Sequence, residues 1–484
     1  MTKSVSLTIG CLGLIALAYV CAASLARAQT TTISGAADNL DRRQCSSSDT
    51  AEVIVGCSRI IRDPGQLTEL KVLALQNRGF AYQQGGHADL AAADYSSALA
   101  LAPRDDAVNG RIYVNLGLIY AQKGDQTRAL ADYSQAIRLN PGLVSAYVNR
   151  AAIFIAQSEN TRAIADLNQA VRLKPRDPAT YESRGEIYLL VGDRERAIVD
   201  LTQSISLNPS DAAAWRYRSL AYRAKGQAAK ATADAAEAAR LEPNSGGAHQ
   251  NLGLSLQAAG ESEQAIAEFG KAIELNPQDA QTVKARGDSY LAQGDRDRAI
   301  ADFSQAIRLD AKMITAYNNR GVAYLGESDW DGAIADFTTV IALAPDQSSA
   351  YLNRGEAFAS KHDRVHALAD FNQTIQIDPS AVEAYRQRAF LREQAGNGRG
   401  ATADYDLVIS RNPADAESLR GRGVARLHQH EWNGAIVDLT AAIAINPKDA
   451  LAYRFRSLAY AGKNDNKHAL DDDAMALRLD PGAR

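Results

Sequence analysis

In the stretch YNNRGVAYLGESDWDGAIADFTTVIALAP (317–345), apolar side chains recur three and four apart on both sides of a polar break. That period predicts two amphipathic helices joined by a short turn. At a spacing of 34 residues, YLNRGEAFASKHDRVHALADFNQTIQIDP (351–379) repeats the pattern. Proline marks the period. Pro141, Pro175, Pro209, Pro243, Pro277, Pro345, Pro379, Pro413, Pro447 and Pro481 fall on one 34-residue grid, and Ala311 fills its single gap. Pro103 lies 38 residues before Pro141, which places four inserted residues near 106–109. The units read as 72–105, 110–143, 144–177, 178–211, 212–245, 246–279, 280–313, 314–347, 348–381, 382–415, 416–449 and 450–483, twelve in all. Each proline closes its unit because it cannot continue a helix.

Certain places within the unit are constant in kind. The eighth is small throughout, from Gly79 to Ser457, and the twentieth is alanine in all twelve units, from Ala91 to Ala469. Two such small places let a pair of helices cross closely, near ~8 Å between axes. Bulky residues surround them: Tyr317 and Tyr324 mark the fourth and eleventh places, and Phe337 the twenty-fourth. This order of aromatic, small, aromatic, alanine, aromatic and proline resembles the tetratricopeptide repeat, over most of the chain. The resemblance implies an all-α fold, a right-handed superhelical solenoid of antiparallel helix pairs. It also implies a concave groove, lined by the first helix of each unit, that binds peptides or partner proteins. Elementary physics agrees with stacking, because one helix pair cannot bury its apolar face alone.

One place departs from the family. The seventh, usually leucine there, is Arg in ten units, among them Arg78, Arg286, Arg320 and Arg388; Leu116 and Leu252 stand in the other two. The twenty-third place is Asp in eleven units, for example Asp94, Asp302, Asp336 and Asp370, and Glu268 in the twelfth. An arginine near a packed interface needs a carboxylate, since an unpaired charge there is costly. The pattern predicts a ladder of Arg–Asp pairs, either within a unit or between adjacent units. It recurs everywhere, so it reads as structural rather than as a ligand site.

The ends differ from the repeats. Lys3, an apolar run over 5–23 and the small residues of Ala26-Arg27-Ala28 form a secretory signal over 1–28, with cleavage expected after Ala28. The mature chain is then periplasmic or secreted, without stable membrane insertion. Only Cys45 and Cys57 remain after cleavage, and an even pair in an exported chain suggests one disulfide; two buried free thiols are the alternative. Residues 29–71 read as an N-terminal cap in which DTAEVIVGCSRIIR (49–62) forms one helix. At the other end Asp473 occupies the aromatic place, and Asp471-Asp472-Asp473 reads as a polar cap. The unit 212–245 carries Ala235 at the aromatic place and is followed by Asn244-Ser245-Gly246-Gly247, so 243–247 is a candidate hinge or a weaker rigid interface.

Composition narrows the function. The chain has 484 residues, is 46% hydrophobic and 23% charged, and carries a net charge of −4, so no nucleic-acid partner is expected. No catalytic motif, cofactor fingerprint or metal set stands outside the repeats. Gly396-Asn397-Gly398-Arg399-Gly400 has no strand before it and reads as an interhelical turn. His362 with His366, and His428 with His430, lack a third ligand. By the family's pattern the second, fifth, ninth, twelfth and thirteenth places face the groove. There Arg386, Arg420 and Arg454 form a candidate basic column, with Arg392 and Arg426 adding charge and Phe390 nearby. Arginine forks suit carboxylates, so an acidic peptide or anionic polymer is the expected partner; local pairing with Glu383, Glu393 and Glu417 is the competing reading. The chain therefore reads as a non-enzymatic, cofactor-free interaction scaffold of the bacterial cell envelope. A structural envelope component that self-associates or contacts cell-wall polymer is the alternative.

Overall fold

The computed structural model describes residues 40–101 and 105–480; the expected signal segment 1–28 and residues 29–39 of the expected cap lie outside them. Among the described residues there are 26 helices and no strand. Helices α1 (Leu40–Cys45) and α2 (Thr50–Arg62) precede the repeats. The next pairs are α3–α4 (Thr68–Gln84, Ala88–Leu101), α5–α6 (Asp106–Gln122, Gln126–Leu139), α7–α8 (Val144–Ala156, Asn160–Leu173), α9–α10 (Pro178–Leu190, Arg194–Leu207) and α11–α12 (Ala212–Ala224, Ala228–Leu241). Then come α13 (Gly246–Ala258) and α14 (Ser262–Leu275). The series ends with α15–α16 (Ala280–Ala292, Arg296–Leu309), α17–α18 (Ile314–Gly326, Trp330–Leu343), α19–α20 (Ser348–Ser360, Arg364–Ile377), α21–α22 (Val382–Gln394, Gly398–Arg411), α23–α24 (Ala416–His428, Trp432–Ile445) and α25–α26 (Ala450–Gly462, Asn466–Leu479). The chain forms two compact units, Met1–Ala259 and Gly260–Arg484.

Local chemistry starts these helices on schedule. Asp105, Asp211, Asp279, Asp415 and Asp449 accept backbone N–H bonds at the starts of first helices. Asp125, Asp193, Asp295, Asp329, Asp363 and Asp465 do the same for second helices. An N-cap aspartate satisfies otherwise orphaned donors and suits the helix dipole. The tip of the turn needs a left-handed residue. Gly294 takes it at φ +80°, and His362 and His430 occupy the same place at φ +61°. Those two histidines are turn residues.

Packing within a repeat follows the small places. Gly321 lies so close to Phe337 that a Cβ there would meet its Cζ at 2.8 Å, and Phe337 is fully buried. Gly355 bears the same relation to Phe371, at 2.7 Å. Ala333 and Ala367 at the twentieth place are likewise fully buried.

The arginine ladder answers the question of register with both alternatives. Arg320 grips Asp336 of its own repeat through Nη2–Oδ1 (2.7 Å) and Nε–Oδ2 (2.8 Å). Its Nη1 donates to Ser304 Oγ of the preceding repeat at 2.9 Å. Arg150, Arg184, Arg354 and Arg456 repeat this, reaching back to Ser134, Asn168, Thr338 and Thr440. Tyr317 and Tyr324 flank the Arg320 guanidinium at 5.7 and 5.8 Å, adding cation–π attraction. Each of these five arginines thus ties two helices of one repeat and the second helix of its neighbour, whereas Arg286 holds only Asp302 of its own repeat, Gly270 standing where the others find an acceptor.

The N-terminal cap extends the same scheme. Cys45 and Cys57 are disulfide-bonded and fully buried. Gly56 admits α1 against α2, since a Cβ there would fall 2.7 Å from Cys45 N. Asn77 Nδ2 donates to the Cys45 carbonyl at 3.0 Å, and Arg78 Nη1 to Ser58 Oγ at 2.9 Å. Helix α2 therefore serves α3 as the second helix of a preceding repeat would. At the other end the polar-cap reading is half met. Asp473 accepts from Arg454 at 2.5 Å, yet Leu470 beside it is 70% exposed.

Candidate partner-binding face

Successive first helices touch one another: α5 meets α7, α9 meets α11 and α11 meets α13 in the first unit, and α15, α17 and α19, then α21, α23 and α25, do so in the second. Among the described residues, second helices make no comparable contact with each other. Within each unit the first helices therefore form the tighter side, a wall that their exposed places line in runs of touching helices.

On the second unit's wall, the three column arginines each meet carboxylates. Arg386 donates from Nη1 to Glu383 (2.6 Å) and from Nη2 to Asp415 (2.8 Å). Arg420 reaches Asp449 at 2.6 Å, and Arg454 reaches Asp473. Asp415 and Asp449 are N-caps of α23 and α25, so an arginine at the fifth place clips one first helix onto the start of the next. Burial works against the Arg386 charge, but Glu383 and Asp415 more than offset it and its pKa lies above the ordinary value. Its Nε has no hydrogen-bond partner. The pairing with Glu383 follows the local reading of the sequence, whereas the cap aspartates were not anticipated. Their signal was present as the 29-residue spacing between Arg386 and Asp415 and between Arg420 and Asp449.

Arg392 and Arg426 require a correction. They add no charge to the wall but turn into the ladder, donating to Asp404 at 2.7 Å and Asp438 at 2.6 Å. Each of these aspartates, almost wholly buried, also holds the arginine of its seventh place, Arg388 or Arg422. Two guanidinium groups converge there because the eleventh place, aromatic in nine of the other ten units and Leu256 in the tenth, is arginine.

Apolar side chains complete this wall. Phe390, at the ninth place, is 49% exposed; Leu458 at the same place of the last repeat is 47% exposed, and Leu451 at its second place 48%. Folding gives these side chains little to pack on.

The first unit's wall carries acids that the sequence reading passed over. Glu182 and Glu186 project from α9 toward Asp211, Arg216 and Tyr217 at the start of α11. Tyr217 donates its hydroxyl to Glu186 Oε1 at 3.1 Å. Burial, then Asp211 and Glu186, push Glu182 up to about 8, with Arg216 opposing. Burial also raises Glu186.

The remaining candidates fall into structural roles. His366 pairs with Asp363 at 2.7 Å and stacks on Phe358, and His428 pairs with Glu393 at 2.7 Å. Asn397 caps α22 beside Gly396, which is left-handed at φ +77°. Among the described residues no group of three or more His, Cys, Asp or Glu side chains is placed to hold a metal, and no helix is long and apolar enough to cross a membrane.

Models described as TPR repeat or tetratricopeptide repeat match residues 117–158 and 287–328, 183–248 and 318–382, 246–279, and 144–177. The chain belongs to the tetratricopeptide repeat family. Comparison with curated proteins gave no match. Among solved structures, a tetratricopeptide repeat protein from Parabacteroides merdae is 19% identical, with 52% of this chain and 99% of that chain covered and a TM-score of 0.42. Yeast Tom70 is 16% identical over 86% of this chain and 100% of its own, with a TM-score of 0.36. Pseudomonas aeruginosa PilF is 19% identical over 44% and 97%, with a TM-score of 0.39.

Proposed function

We propose that this tetratricopeptide repeat protein is an exported, non-enzymatic scaffold of the bacterial cell envelope that holds extended segments of partner proteins on its walls of first helices. The observation that carries the reading is the half-exposed apolar set Phe390, Leu451 and Leu458, standing among Arg386, Arg420 and Arg454 on one wall. Such a surface binds by area and preorganisation, with no bond made or broken. Its arginines are already paired, so an acidic peptide binds by exchanging its carboxylates for Glu383 and Asp473, the more exposed acids of the set. Phe390 anchors it, as aromatic residues do at interaction hot spots.

A photo-crosslinking residue at Phe390 of the full-length protein, activated in the native compartment, tests this. Discrete protein adducts are expected, and Arg386→Ala with Arg420→Ala should thin them. Adducts indifferent to those changes would remove the arginines from the partner site, and the absence of any adduct would remove the wall itself.

The exposure of Leu470 on α26 favours, separately, the reading as a self-associating envelope component. In that case sedimentation shows concentration-dependent oligomers that Leu470→Asp dissolves.

A further inference from the structure

The twelfth place of the repeat is leucine in four units and alanine in three, and Arg223 is its only cation. It sits in the last turn of α11. The same place of α21 holds Glu393, which pairs at 2.7 Å with His428, at the thirteenth place of α23. The twelfth place therefore looks across the seam between successive first helices. By that register the residue opposite Arg223 is Ala258 of α13, exposed and without a polar side chain. Arg223 Nη1 is shielded from solvent and has no hydrogen-bond partner. All ten seventh-place arginines, by contrast, hold an aspartate. The second unit's Arg386, Arg420 and Arg454 meet carboxylates too. Acceptors in the same repeat do not relieve Arg223, since Gln227 Oε1 and Thr232 Oγ1 are themselves buried without a partner. The C-terminal end of α11 offers it only a partial negative charge. Burial accordingly holds its pKa below the ordinary guanidinium value, with no carboxylate opposing. A shielded ionic donor left unpaired weakens a fold, whereas the leucine of other repeats would fill the same place without that loss.

We propose that the seam between α11 and α13 is a binding place for one carboxylate of an acidic partner segment, with Arg223 as its cation. The carboxylate supplies the acceptors that Ala258 cannot. A guanidinium takes both carboxylate oxygens in its fork, and a bond between two charged groups is among the stronger hydrogen bonds. Arg223 stays partly open to solvent, so a side chain can approach it without the repeats parting. The free chain carries the unpaired charge as a local weakness, and the bound partner removes it; such an exchange of stability for binding is expected at sites rather than in scaffolding. The inference rests on the scaffold reading for its acidic partner. It places the contact on the first unit's wall, however, apart from Phe390 and the arginines around it.

Hydrogen exchange of the full-length protein, titrated with an acetylated and amidated hexaglutamate peptide, reads this place locally. Exchange in α11 and α13 should slow as peptide is added. In Arg223→Leu the half-saturating concentration for that effect should rise about tenfold, the loss of one charge-assisted pair. Without peptide, Arg223→Leu should slow exchange in the same two helices, because the unpaired charge is gone. Exchange in α11 and α13 that hexaglutamate leaves unchanged, or slows equally in wild type and Arg223→Leu, overturns the assignment. Faster exchange in peptide-free Arg223→Leu overturns it as well, by making the arginine part of the seam's own packing. Protection by inorganic phosphate where hexaglutamate gives none would assign the place to a free oxyanion and overturn the carboxylate. Crosslinking at Phe390 judges the second unit's wall independently of all these outcomes.

Discussion

Asp132 shows what the seventh-place arginine does, because its own repeat has Leu116 there. Its Oδ2 is buried without a hydrogen-bond partner, and burial pushes its pKa up to about 6 against the pull of Arg128. Where the arginine is present, the paired aspartate instead raises the arginine's pKa, as Asp336 does for Arg320. Leu116→Arg should therefore supply the missing partner. The raised Asp132 carboxyl stabilises the wild type fully below the ordinary aspartate range, and this term fades as pH rises through about 6. The variant's advantage should then grow with pH to about 1 kcal/mol near neutrality, discounted for partial exposure. Hydrogen exchange in α5 and α6 across that range checks it. The converse change tests the ladder. Arg320→Ala strands Asp336, which is nearly buried, and should cost about 2–3 kcal/mol. The double variant with Asp336→Ala should cost less than Arg320→Ala alone, as read by denaturant unfolding; silence of both would dismiss the pairing.

At the scale of the helix pair, the crossing is set by what the eighth place leaves out. Gly321→Ala puts a methyl 2.8 Å from the Phe337 ring, which is buried on all sides and has nowhere to retreat. A loss of about 1–3 kcal/mol is expected from such overpacking, measurable by chemical denaturation and localised by exchange in α17 and α18. This part of the fold was legible in the sequence, because a small residue opposite an aromatic recurs at fixed places. The neighbour reached by each arginine was less legible. Asp336 lies 16 residues after Arg320 within one repeat, while Ser304 lies 16 before it, in the preceding one. Only stacked repeats bring both acceptors to one guanidinium. Arg392 and Arg426 misled for the same reason: a long side chain at the eleventh place can point outward or fold back, and a buried carboxylate decides which.

At the scale of the whole molecule, a repeat array loses cooperativity with distance, since each repeat contacts only its neighbours. The Cys45–Cys57 clip should therefore act locally. Cys45→Ser with Cys57→Ser should remove about 3 kcal/mol in the chain-entropy estimate for a short loop. Exchange should quicken in α2 and α3 and fade within a repeat or two, leaving α15 to α26 unchanged; a uniform loss of protection would contradict one-dimensional stacking. The sequence by itself determined the helix pairs, their 34-residue period, the small-against-aromatic crossings and the supply of matched arginines and acids, because these depend on the kind of residue at each place. Tertiary structure alone decided which acid each arginine takes, as when Arg386 and Arg420 reach the cap aspartates Asp415 and Asp449. A flexible charged side chain reaches several partners with little difference in local energy, and burial and the competing acceptors of the stacked repeats make the choice.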